Sequence, residues 1–239
     1  MEHGKMPARK RVQPRRAWRA IRALLVDPDD TAQVFEIIDA LSGNAGERLF
    51  NRFRHDATGA RILAERRDLL RTLDDRAGLL ALPVGSLGRT YAEFVAREQI
   101  SGQGLADVSA ATRRTDLDAD RRRFGDRLRD MHDLWHVATG YGRDLVGEAA
   151  LLAFSFAQTG NRGIGFIVAV AWLKASGDGG ATRRLILAAW RRGRRAAWLP
   201  GQDWEGLLAE PLGGVRAQLG LGAPPAYVAM RSTSAPSPA

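Results

Sequence analysis

The chain has 239 residues, 45% of them apolar and 26% charged; this excludes disorder over the whole length and is enough chain for one sizeable core. Cysteine is absent, which excludes disulfides, thiolate metal sites and a Cys nucleophile, so any metal must sit on carboxylates and on His3, His55, His132 or His136. The net charge of +9 is uneven: residues 1–22 hold eight Lys/Arg against Glu2 alone, residues 181–199 hold six Arg and no acid, and the remainder is mildly acidic.

Residues 1–16 read as a disordered basic arm, 17–228 as one helical domain and 229–239 as a disordered Ser/Pro-rich tail. Asp27-Pro28-Asp29-Asp30 makes a turn and a helix cap. Behind it, Val34, Ile37, Ile38 and Leu41 fall on one stripe, which Gly43 ends. The next helix is expected over 59–74, then a turn-rich connection from Leu82 to Gly88. Thr90 and Glu93 form a candidate capping box for a helix carrying Tyr91, Phe94 and Val95. Residues 101–117 read as a loop. One charged helix is expected from Asp118 to about Ala138, broken by Gly140 and Gly142. Asp144 caps another running to about Gln158. Further helices are expected over 164–175, 182–198, 203–209 and 212–219. Period-two alternation is nowhere sustained, so the fold class is all-α: a single-domain helical bundle with a metal site on a helix-turn-helix.

The chemistry concentrates in His132-Asp133-Leu134-Trp135-His136. Residues i and i+4 stack on one helix face, so both imidazoles can reach one cation. Asp133 stands about 100° round the helix from His132 and serves as a third ligand or as the carboxylate that orients a histidine. Glu148 would lie about 18 Å beyond His136 on a continuous helix. The glycine break lets the next helix fold back and bring it to the pair. A lone H-x-x-x-H also arises by chance on helices. A zincin peptidase would carry Glu where Asp133 stands, and Asp reaches a bound water poorly. An HD-type phosphohydrolase would need a further His, which His55-Asp56 supplies only loosely.

His132-Asp133-x-x-His136, eleven residues, then Glu148 matches the H-D-x-x-H-x11-E motif of the coenzyme Q (ubiquinone) biosynthesis protein 4 family. The segments Asp27–Thr31, Leu82–Tyr91 with Phe94, Leu151–Phe154 with Gln158, Trp204–Leu208 and Pro211–Arg216 resemble the family as well, so the likeness spans about residues 17–228. It implies a helical metalloprotein with His132, Asp133, His136 and Glu148 as ligands and zinc as the ion, iron(II) being the alternative because zinc exchanges no electrons. It implies oxidative decarboxylation of a polyprenylated hydroxybenzoate-type precursor, its C1 carboxylate replaced by hydroxyl. The alternative is a non-catalytic scaffold that presents quinone precursors to other ubiquinone-biosynthesis proteins. Asp133 is the candidate for a catalytic part beyond coordination. The basic N-terminal arm has no counterpart in the family.

The remaining expectations concern the surface. The longest apolar run, Ile164–Leu173, has ten residues, about half a membrane span. No secretory signal core is visible, and 33 Arg against 3 Lys suggests a GC-rich bacterial genome. The expected location is therefore cytoplasmic and peripheral to a bacterial membrane. Arg183–Trp198 has the composition of an interfacial helix on anionic lipid, with a solvated basic face as the plain alternative. Phe154, Phe156, Ile164, Phe166, Ile167, Val170 and Trp172 could line a polyprenyl tunnel or simply fill the core. No aromatic-basic module points to nucleic acid. A homo-oligomer is left open.

Overall fold

Side-chain oxygens placed just ahead of apolar runs start most of the helices. The computed structural model describes residues 11–28, 30–100, 117–175, 178 and 180–230. In it α1 (Pro14–Val26) opens on a proline, whose missing N–H is no loss in a first turn. Asp30 caps α2 (Thr31–Leu41), and α3 (Ala45–His55) follows. Asp56, Asp68 and Asp75 cap α4 (Ala57–Ala64), α5 (Leu69–Asp74) and α6 (Arg76–Ala81). Ser86 caps α7 (Leu87–Arg97), and Asp118 caps α8 (Ala119–Asp130). After α9 (His132–Thr139), Asp144 caps α10 (Leu145–Thr159) and Asn161 caps α11 (Arg162–Lys174). Then come α12 (Ala181–Arg195), the short α13 (Trp204–Leu207) capped by Asp203, and α14 (Leu212–Gln218). Each such cap accepts backbone N–H groups that the first helical turn leaves without partners. Among the described residues there is no strand, only an isolated bridge between Ser86 and Pro211.

The all-α, single-domain reading holds, with local differences. Arg16, placed by its sequence in the basic arm, lies inside α1 and pairs with Glu36 and Asp39 of α2. The expected helix over 59–74 is two helices, separated where Arg66 adopts a left-handed φ of 51°. The expected helix over 118–138 bends at Met131, which keeps near-helical angles and so carries no breaker signal. Thr90 and Glu93 lie within α7, where Glu93 pairs with Arg89 at 3.1 Å, and the cap is Ser86. The expected loop over 101–117 lies outside the described residues except for Leu117.

Three apolar clusters hold the helices together. The largest joins α5, α6, α7, α9, α10, α12, α13 and α14 around Tyr91, Trp135, Phe154 and Trp204. A second, around Phe53 and Phe124, joins α3, α4 and α8. The third packs α1 and α2 on α11 through Ile21, Ile37 and Ile167. α10 and α12 approach closely at Gly193, where a Cβ would stand 2.7 Å from the Phe154 carbonyl oxygen. Gln158 ties the same contact: its side chain donates to the Gly193 carbonyl at 2.6 Å and accepts from Leu199 N–H at 2.8 Å. This fixes α10, the helix that carries Glu148.

Candidate metal centre

α9 is a short helix whose residues from Asp133 to Thr139 are all buried. Gly140 ends it at φ 80°, donating its N–H to the His136 carbonyl at 2.8 Å. A side chain there would be strained and would also meet Pro224, whose Cβ lies 2.5 Å from where a Cβ would be. The chain then turns through Tyr141 and Arg143 into α10, whose first turn carries Glu148. The positive end of that helix favours a carboxylate. The fold-back expected from the glycine break is present: Glu148 Oε1 lies 3.3 Å from His136 Nε2.

His136 is 1% exposed, and its ring stacks 5.8 Å from Phe94 of α7. Its Nδ1 is 2.9 Å from the Tyr141 carbonyl oxygen. A carbonyl can only accept, so Nδ1 carries the hydrogen, and in the neutral ring the lone pair is on Nε2. That Nε2 is fully buried and has no hydrogen-bond partner; Glu148 is near but not aligned to bond it. The His132 ring stands edge-on to His136 at 4.8 Å between centroids. His132 Nδ1 faces Asp133 Oδ1 at 3.3 Å. One donor atom each from His132, Asp133 and His136 falls within 4.8 Å of the others. Glu148 stands outside that triplet, against His136.

The electrostatics call for a positive charge. Burial raises the Glu148 carboxyl, but the charge and contact of His136, with His132 and Arg143, outweigh it and hold the group at about 2. Burial also raises Asp133, and its hydrogen bond to His132 more than reverses this. Burial lowers His136, and Glu148 with Asp133 and the Tyr141 carbonyl turn the shift upward. His132, Asp133 and His136 thus offer two nitrogens and an oxygen close together, with the ionised Glu148 carboxylate against His136. Two nitrogens and two oxygens suit zinc or iron(II), and an orphaned imidazole lone pair beside a carboxylate suits a metal more than a proton. The residues fit a metal.

His55 and Asp56 take no part. His55 Nδ1 contacts the Asn51 carbonyl at 2.6 Å, and Asp56 caps α4, so the second His-Asp pair completes no phosphohydrolase site. The structure adds residues that the spacing does not single out. Tyr141 orients His136 through its backbone, which only the flanking glycines could have suggested. Arg143 Nε lies 3.8 Å from Glu148. Arg216 of α14 donates to the Val137 and Ala138 carbonyls, both at 2.9 Å, and Arg192 of α12 donates to the Thr139 carbonyl at 2.7 Å. The two guanidiniums cover the negative end of α9.

The model of the family described as coenzyme Q (ubiquinone) biosynthesis protein Coq4 matches residues 16–225. The chain belongs to the Coq4 family. Curated relatives include the mitochondrial ubiquinone biosynthesis protein COQ4 homologs of human and rat. The human protein is 31% identical over 81% of this chain and 73% of its own length. The rat protein is 29% identical over 90% and 88%. A crystal structure from Nostoc punctiforme shares the fold at TM-score 0.62 and 20% identity, over 89% of this chain and all of that one.

The surface differs from its expectation in emphasis. Part of the arginine set of α12 faces inward: Arg192 bonds carbonyls and covers the Tyr141 ring, and Arg183 bonds the Trp172 and Leu173 carbonyls at the end of α11. Phe154, Ile164 and Ile167 are core. Phe156, Phe166 and Val170 are half-buried, and Trp172 is exposed. α1 presents an exposed mixed face. Trp18 is 59% exposed and Val26 86%, and with Leu25 they lie among exposed Arg15, Arg19 and Arg22. No helix among the described residues is long and apolar enough to cross a membrane.

Proposed function

We propose that this chain acts in ubiquinone biosynthesis as a metal-dependent enzyme that replaces the C1 carboxylate of a polyprenylated hydroxybenzoate-type precursor with hydroxyl. The observation that carries this reading is the buried, unpartnered Nε2 of His136 facing Glu148 beside His132 and Asp133, in a Coq4 family chain. His132, His136, Glu148 and Asp133 would hold the ion, zinc with iron(II) as the alternative. When bound, the metal supplies Lewis-acid polarisation of the substrate's carboxylate or phenolate oxygen.

The protein's own contribution is positioning and charge. The Tyr141 carbonyl holds the His136 tautomer. Phe94 walls the site with a ring face. Overall, one oxygen atom of O2 goes to ring C1 and the carboxylate leaves as CO2. Two electrons from an external reductant, with two protons, take the other oxygen atom to water, and a third proton from solvent makes the new ring oxygen a hydroxyl.

The lipid tail places this chemistry at a membrane surface. We assign the contact to α1 rather than to α12. α1 presents indole and aliphatic groups between arginines, the mixture that suits the headgroup boundary of an anionic bilayer. Other ubiquinone-biosynthesis proteins are the further partners of this reading.

The test supplies purified metallated protein, O2, a reductant and a carboxylated polyprenylphenol in detergent, and follows product by mass. Conversion that disappears in His136→Ala supports catalysis. If wild type gives none, while an extract lacking only this protein is restored by the same variant, the protein is a scaffold.

A further inference from the structure

The turn between His136 and Glu148 is gripped by chain more than eighty residues away. Tyr227 Oη accepts from Gly142 N–H at 2.8 Å and donates to Asp144 Oδ2 at 2.8 Å. The next three residues run on to Met230, whose N–H donates to Asp144 Oδ1 at 3.0 Å and whose carbonyl accepts from Leu145 N–H at 2.7 Å. Asp144 is therefore saturated. One oxygen caps α10 through Val146 and Gly147 N–H, and the other holds Tyr227. Pro224 packs on Gly140 at the other end of the turn. Arg192 spans the gap, donating to Thr139 at the end of α9 and to the Leu221 and Ala223 carbonyls of the C-terminal segment.

A turn of five residues between two ligand-bearing helices has its own freedom. Within Gly140–Asp144, Tyr141 packs into the main core and Asp144 caps α10, while two glycines loosen the path between them. The distance from His136 Nε2 to Glu148 Oε1 depends on the angle between α9 and α10. The Tyr141 carbonyl that sets the His136 tautomer lies inside the same turn. The clasp of Tyr227, Met230 and Arg192 restrains that path from outside, in addition to the core packing of α9 and α10.

We propose that Tyr227 is a positioning residue of the metal centre: through Gly142 and Asp144 the C-terminal segment sets the spacing of His136 and Glu148, and hence affinity and geometry at the bound ion. This rests on the metal reading above. Groups that hold ligands in place typically change metal affinity about ten- to hundredfold when removed.

The probe is Co2+, whose visible bands report ligand geometry, titrated into the metal-free full-length protein. Tyr227→Phe keeps the ring and removes only the hydroxyl. Asp144→Asn reaches the same bond from the other side and keeps an oxygen to cap α10. Both should raise the apparent Kd for Co2+ about tenfold and change the band positions or intensities, with the helical circular dichroism retained. Phe53→Leu, in the separate cluster of α3, α4 and α8, lowers stability without touching the turn and should leave affinity and spectrum as in wild type. Wild-type affinity and bands in Tyr227→Phe, or in a folded Asp144→Asn if the former does not fold, overturn the proposal. An equal shift in Phe53→Leu overturns it too, because the effect would then be general loosening. Absence of any saturable Co2+ spectrum in wild type overturns the metal reading itself, and this inference with it.

Discussion

His136 and Glu148 face each other at 3.3 Å across the turn that separates their helices, one a buried imidazole whose Nε2 has no hydrogen-bond partner and the other a carboxylate held ionised. Neither completes the other's hydrogen bonding. A buried polar atom left in that state costs about 1–3 kcal/mol, so the pair makes sense as half of a coordination sphere.

Metal content follows directly. Wild type should bind one divalent ion per chain. His132→Ala and His136→Ala should lose it, and Glu148→Gln should weaken it, while helical circular dichroism persists. Elemental analysis after gel filtration checks this and names the ion. Full retention in the His132/His136 double variant would remove the site.

The pair also fixes a pH window for the metal-free protein. Glu148 is depressed from 4.5 to about 2, so its contribution is complete above the unfolded value and is lost as pH falls through about 2. His136 is raised above 6.5, so its contribution is complete below 6.5 and is lost as pH rises through the higher folded value. Apoprotein stability from this contact should therefore be greatest between about pH 4.5 and 6.5. Glu148→Gln should flatten the alkaline fall. Thermal unfolding in chelator across pH 3–9 reads both limbs; an unchanged alkaline limb in Glu148→Gln counts against the contact.

Much of this was legible in the residues. The His132/His136 face, the glycine break and the Asp144 cap are local, and local rules of spacing and capping reach them. The helix Ala45–His55 was not among the expected elements, although its signals are local: Glu47 opens it, Arg52, Arg54 and His55 close it, and Leu49, Phe50 and Phe53 share a face. What no local rule reaches is the convergence of Arg192 and Arg216 on the end of α9 and of Tyr227 on the turn after it, because those contacts span 53 to 85 residues. The bend at Met131 was hidden for another reason: its backbone angles stay in the right-handed region, which any residue adopts.

Gly193 is the packing test. Gly193→Ala would press a methyl against the Phe154 carbonyl at 2.7 Å and the Ala157 Cβ at 2.9 Å, and backbone on both sides leaves little room to yield. Overpacking of this kind costs about 1–3 kcal/mol. Denaturant unfolding should show a lower midpoint with an unchanged slope. Because α10 would shift, metal affinity should fall as well.

Lipid contact separates two faces. Flotation with anionic vesicles should be lost in Trp18→Ala/Leu25→Ala and should weaken with each of Arg15, Arg19 and Arg22 changed to Glu. Each basic residue near such a surface is worth about 1 kcal/mol, screened by salt. Arg191→Glu and Arg194→Glu on α12 should matter less. Equal flotation on neutral and anionic vesicles would reject the electrostatic account, and a larger effect from α12 would return the contact to that helix.

Asp133 decides whether coordination is all that the motif does. It is 6% exposed and reaches His132 Nδ1 rather than bulk water. A carboxylate so placed holds one imidazole nitrogen and leaves the other to the ion, the usual arrangement behind a metal-bound histidine. It is also one of the three groups whose donor atoms cluster within 4.8 Å, so it is near enough to bind the ion directly. Asp133→Asn keeps the shape and an oxygen but removes the charge. If Asp133 only orients His132, the variant should keep stoichiometric metal with about tenfold weaker affinity, and turnover should return at saturating metal. If it is a ligand, metal and turnover should fall together. If its charge acts on the substrate, turnover should stay low with the metal site full. Turnover and metal content measured on the same samples, at two metal concentrations, distinguish the three, and a variant equal to wild type in both would leave Asp133 no part in the site.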